Sequence, residues 1–164
     1  MLIHGHALRT LVIASILWTL LCTPIDSTAA EAVRGVKIQK VLPHYLDKQG
    51  RHSLYPSLLE RDAYQAKLRG DVLLRGGLRF DIRLGAIPKG AELTLHLEAR
   101  GNAHDGLATA VQLVHPLAPK DRYHRWTRLV LSKEDYTKLG QMIAWRATLR
   151  QGETILAEQR SFLW

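Results

Sequence analysis

Two consecutive runs of alternating apolar and polar residues constrain this chain more than any other feature. Leu78, Phe80, Ile82 and Leu84 alternate with Arg79, Asp81 and Arg83; beyond a link containing Gly85, Pro88 and Gly90, Leu93, Leu95, Leu97 and Ala99 alternate with Glu92, Thr94, His96 and Glu98. Successive side chains of a strand point to opposite faces, so a period of two puts every apolar residue of a run on one face. The pattern predicts two half-buried strands, paired through that link and polar on their outer sides.

The remaining runs repeat the rhythm. Val36–Leu42 reads as a first strand, with Val36 and Ile38 inward and Pro43 as its end; Asp47-Lys48-Gln49-Gly50 has turn chemistry. Thr109–His115, Tyr123–Leu131, Met142–Arg150 and Glu153–Trp164 supply four further strands, the third of these with Ile143, Trp145, Ala147 and Leu149 inward and Arg146, Thr148 and Arg150 outward. Ser57–Leu68 departs from the pattern. Ser57 followed by Glu60 is a capping box, and Leu59, Ala63 and Ala66 share one helical face, with Tyr64 and Leu68 beside it and Gly70 as the stop. Ser132 with Asp135 starts a second short helical turn before strand six.

Seven short strands with turns between them predict an all-β fold, a seven-stranded antiparallel β-sandwich, with one short helix (57–68) inserted after the first strand. In strand count and order from Val36 to Trp164, and in the turn Ser132–Leu139, the chain resembles immunoglobulin-like and fibronectin-type-III-like domains. The paired cysteines of antibody domains are missing. The resemblance implies a scaffold that hosts adhesion, receptor, chaperone or linker roles, with no particular activity attached.

Met1–Ala30 reads as a secretory signal peptide: Arg9 near the start, an apolar core Leu11–Leu21 short of the ~20 residues that span a bilayer, then Pro24 and the small residues Thr28-Ala29-Ala30 before cleavage. The expectation is therefore a leader over 1–30 and one domain over 31–164, exported to the periplasm or beyond, with no membrane-spanning segment in the mature chain. The single cysteine, Cys22, falls in the leader; Leu21 before it is too large for a bacterial lipidation box. The mature chain then has no disulfide, thiolate nucleophile or cysteine zinc site, and a core must come from the apolar residues of a sequence that is 46% hydrophobic over its whole length.

Catalytic chemistry finds little support. There is no Gly-x-Ser-x-Gly elbow, and Ser57 and Ser132 are helix caps. His44, Asp47 and His52 in one loop and His104 with Asp105 in another are sensible zinc ligands by type but match no metal-binding spacing. Glu92 and Glu98 lie about 20 Å apart by strand rise, too far for an acid–base pair. No cofactor is expected.

Charge carries more information. The chain has 23 Lys and Arg against 15 Asp and Glu, a formal charge of +8, and Arg9 and Asp26 cancel within the leader. Arg79 and Arg83 face outward from one strand and Arg146 and Arg150 from another, while Arg122, Arg125 and Arg128 crowd the fifth strand with Trp126. Two accounts stand side by side: cross-strand ion pairs with Asp81, Glu92, Glu98, Glu153 and Glu158, or a basic, aromatic face for an anionic polymer or protein partner. Specific nucleic-acid recognition does not fit an exported chain. The expectation is a non-catalytic binding module. The alternatives are an assembly subunit joined through a sheet edge or the C-terminal strand, and a metal-assisted enzyme at His44, Asp47 and His52. Oligomeric state is left open.

Overall fold

A computed structural model describes residues 35–102, 108–118 and 126–164; the expected leader with Cys22, the His104–Asp105 pair, and Arg122 and Arg125 lie outside the described residues. Seven strands and two short α-helices follow in the order β1 (Ile38–Asp47), α1 (Leu58–Gly70), β2 (Arg75–Leu84), β3 (Thr94–Asn102), β4 (Ala108–Pro116), β5 (Trp126–Val130), α2 (Lys133–Leu139), β6 (Gln141–Gln151) and β7 (Thr154–Arg160). Neighbouring strands are all antiparallel and form two sheets, β1-β2-β5 and β4-β3-β6-β7. No helix among the described residues is long and apolar enough to cross a membrane.

One apolar cluster draws on both sheets. Leu78, Phe80, Ile82 and Leu84 of β2, Leu95 and Leu97 of β3, and Ala147 and Leu149 of β6 are buried in it, joined by Leu68 of α1 and Leu139 of α2. The alternation of β2 and β3 thus faces inward as the pattern predicts. The two runs do not pair, however. β2 bonds to β1 and β5, whereas β3 bonds to β4 and β6, and the link through Pro88 carries the chain from one sheet to the other. Alternation specifies the buried face of a strand and leaves its hydrogen-bonding partner open.

Three other expectations change. Pro43 does not end β1, which runs on to Asp47; β1 is an edge strand, where a residue lacking an N–H is tolerated. His44 and Asp47 therefore sit on a strand and not in a loop. In β6, Arg100 faces Ala144 while Gly101 faces Met142, so Ile143 is an extra, bulged residue. The bulge turns Ile143 out to solvent, and Ala144 and Trp145 are both buried. Thr148, expected to be solvated, is buried as well, with Arg150 Nε 3.4 Å from its hydroxyl.

The helix starts as expected, with the Ser57 hydroxyl accepting the Glu60 amide, but it buries a different face. Leu58 and Leu59 are exposed and Gln65 and Leu68 are buried. The Gln65 side chain accepts from the Tyr45 N–H at 2.9 Å and donates to the Tyr45 carbonyl at 2.8 Å and the His52 carbonyl at 2.7 Å. It thereby stands in for a neighbouring strand along the β1 edge. Arg75 holds the other end of α1, donating to the Leu68 and Arg69 carbonyls while its guanidinium lies 4.2 Å over the Tyr45 ring. A cation there complements the negative end of the helix. Where α2 meets β3, a Cβ on Gly101 would overlap the Leu139 carbonyl oxygen.

Candidate functional site

Arg79, Asp81 and Arg83 of β2 point away from the core, and register places them in rows with their neighbours. Across β1, β2 and β5 the outer face reads Lys40–Arg83–Trp126, then Leu42–Asp81–Arg128, then His44–Arg79–Val130. Asp81 is the central group. Arg79 donates to it at 2.6 Å, His44 Nε2 lies 3.5 Å away, and Arg128 Nε lies 3.6 Å from its second oxygen. The Arg83 guanidinium is 6.0 Å from the Trp126 ring.

His44 contributes no charge to this face at neutral pH. Burial, reinforced by the Arg79 cation, lowers its pKa to about 4 against the opposing pull of Asp81. Among the described residues one carboxylate is therefore set among Lys40, Arg79, Arg83 and Arg128. The Nε atoms of Arg79 and Arg83 are buried with no hydrogen-bond partner among the described residues.

The segment after β1 closes one end of this face. The Asp47 carboxylate accepts the Gln49 and Arg51 amides at 2.9 and 2.8 Å, the Arg51 Nε at 2.8 Å and the Tyr64 hydroxyl at 2.8 Å. Burial opposes ionisation of Asp47, but those donors outweigh it and hold the carboxyl below its ordinary range. The loop so pinned brings the His52 ring to 5.5 Å from the His44 ring, and burial lowers the His52 pKa as well. At this end the Arg79 side chain is only 9% exposed; at the other the Arg128 side chain is 65% exposed and Trp126 is 45% exposed. The exposed cations of this corner are Lys40 and Arg128, beside exposed Trp126 and half-buried Arg83.

Of the residues expected to bind, Arg79, Arg83, Trp126 and Arg128 share this face. Arg146 and Arg150 are on the outer face of the other sheet, across the core. There Glu98 is held by Arg146 at 3.1 Å and Arg100 at 3.2 Å. Both guanidiniums lie on the Trp164 ring, Arg100 at 3.7 Å and Arg146 at 4.8 Å. A depression of about 80 Å³ between His96, Gln112 and Arg150 adjoins them. The arginines thus form two sites and not one. Lys40 and Trp164 escaped the sequence reading, because neither the β1–β2 register nor the folding back of Trp164 leaves a local signal.

Among the described residues no group of three His, Cys, Asp or Glu side chains is arranged to hold a metal ion. Asp47 is turned to Arg51 and Tyr64, and His44 to Asp81. Comparison with protein-family models, with characterised proteins and with solved structures finds nothing that matches this chain.

Proposed function

We propose that the chain is an exported, non-catalytic binding module of the bacterial envelope, with an immunoglobulin-like β-sandwich fold, that takes an anionic polymer on the open corner of its first sheet. The sandwich reading is supported by three strands set against four over one shared core. It differs from the constant-type immunoglobulin arrangement in that the fourth strand joins the second sheet. Export rests on the leader pattern of Met1–Ala30.

The observation that carries the binding reading is the imbalance around Asp81: among the described residues this face sets four cations beside one carboxylate, and Arg83 and Arg128 flank an exposed tryptophan. Guanidiniums pair with planar or tetrahedral oxyanions in forked geometry, and an exposed indole offers a stacking surface beside them. Retention on immobilised dextran sulfate tests it. The chain binds at low salt and elutes as salt screens the contact. Arg83→Ala with Arg128→Ala lowers the eluting salt concentration sharply, and Arg146→Ala with Arg150→Ala changes it little. No retention at low salt, or loss only with the second pair, refutes the assignment.

A further inference from the structure

Two cavities of nearly equal size lie at opposite ends of β3, and their walls differ in charge. At the Thr94 end, about 560 Å³ lies between Ile87, Leu93, Pro116 and Leu117, and the charged wall residue is Glu92. At the Asn102 end, about 570 Å³ lies between the single 3₁₀ turn Val72–Leu74 and the last turn of α2, and the charged wall residues are Lys48 and Arg75. Both volumes fall in the ~300–1,000 Å³ range of ligand sites.

Register brings the two cations of the second cavity to one corner. Asp47 faces Arg75 across β1 and β2, and Gly76 lets the next residue of β1 come close: a Cβ there would sit 2.8 Å from the Lys48 Cα. The Asp47 carboxylate is taken by Arg51 and Tyr64, so among the described residues Lys48 has no ion-pair partner. Arg75 is buried and fixed by the Leu68 and Arg69 carbonyls and the Tyr45 ring; the carbonyls take two of the five N–H groups of its guanidinium. The same cavity is walled by Val72 and Leu73, 54% and 79% exposed, and by Tyr136. Covering aliphatic side chains left so open to water is favourable.

We propose that this cavity binds a single-chain anionic amphiphile, its carboxylate or sulfate group on Lys48 and Arg75 and its hydrocarbon chain along Val72 and Leu73. Charge selects the head group. Lys48 and Arg75 line the cavity and no Asp or Glu does, so a neutral or cationic head group leaves the Lys48 ammonium unanswered. α2 turns its carbonyl end to the cavity at Thr137 and Gly140, and the negative end of a helix keeps the anion on the Lys48 side. A neighbouring depression of about 300 Å³, lined by Pro43, Tyr45, Arg69 and Met142, shares Arg75 and Gln141 with it and offers further apolar surface to a longer chain. The site is separate from the polymer-binding corner: Arg75 and Arg83 stand about 27 Å apart along β2 by strand rise.

Calorimetric titration of the purified chain with dodecanoate, kept below its micelle concentration, tests the proposal. Saturable one-to-one binding is expected, about tenfold or more tighter than that of dodecanol, with no binding of dodecyltrimethylammonium. Lys48→Glu weakens dodecanoate binding by about tenfold or more by reversing the charge at the head group, and Leu73→Asp does so by spoiling the apolar wall. Both side chains are exposed, so the unfolding midpoint of each variant stays that of the parent. Arg83→Ala with Arg128→Ala leaves dodecanoate binding unchanged, so this assignment and that of the polymer-binding corner fail separately. Uptake that never saturates, equal affinity for the three head groups, or binding indifferent to both Lys48→Glu and Leu73→Asp overturns the proposal. So does loss of binding in the Arg83 and Arg128 variant, which would give the amphiphile to the outer face of the first sheet.

Discussion

The outer faces of the two sheets are both rich in arginine, yet they treat it in opposite ways. On the second sheet Glu98 is clasped by Arg100 and Arg146, whose guanidiniums also stack on Trp164. The next row sets Thr148 opposite Glu158. Arg100 and Arg146 are thus engaged with groups of the chain itself, whereas Arg160, opposite Arg146, is exposed. On the first sheet, among the described residues, one carboxylate, Asp81, lies beside four cations and pairs with Arg79 and Arg128, and the insertion after β1 seals only the His44–Arg79 end. Availability for a ligand is thus set by the local ratio of cations to carboxylates and by what covers them. The number of arginines does not decide it.

Substitutions at the two central carboxylates separate the faces most strongly. Asp81→Asn leaves the Arg79 guanidinium buried without its counter-charge, and a loss of about 3–5 kcal/mol is expected in denaturant unfolding. Acid makes the next largest difference. The folded-state pKa of His44 lies near 4, below its ordinary 6.5, so the unfolded chain binds the extra proton first as pH falls. Stability at this site is full above about pH 6.5 and declines as pH drops toward about 4, by up to about 3 kcal/mol. The comparison of His44→Gln with the parent chain over that window isolates the contribution.

Gln65→Ala removes three hydrogen bonds from the β1 edge and the His52 loop, and should cost about 2 kcal/mol. It also loosens the closed end, so the Tyr45 amide exchanges faster with solvent deuterium. The smallest effect is expected from Glu98→Gln, at or below about 1 kcal/mol, because the Arg100 side chain is 53% exposed and water replaces its partner. An Asp81 effect no larger than the Glu98 effect would erase the distinction between the faces.

Much of the fold was legible because it is written in local pattern. The inward set of β2 and β3, the Ser57 and Ser132 caps, and the turn at Gly50 with φ +77° all follow from neighbours within a few residues. The site was legible only in part. That Asp81 pairs with arginines could be read from its flanks, but which arginines share its face could not. The face of α1 was misread for a related reason: apolar spacing nominated Leu59, whereas the edge of β1 required an amide, and Gln65 supplied it.

Residue order alone settled which side chains of each regular strand turn inward, since that depends only on the alternation of the backbone. The partner of each strand was settled in three dimensions, and with it the separation of Arg79 and Arg83 from Arg146 and Arg150 onto opposite sides of the core. Pairing, the Ile143 bulge and the docking of α1 arise between segments far apart in sequence. Burial and hydrogen bonding select among arrangements that the local pattern leaves equivalent.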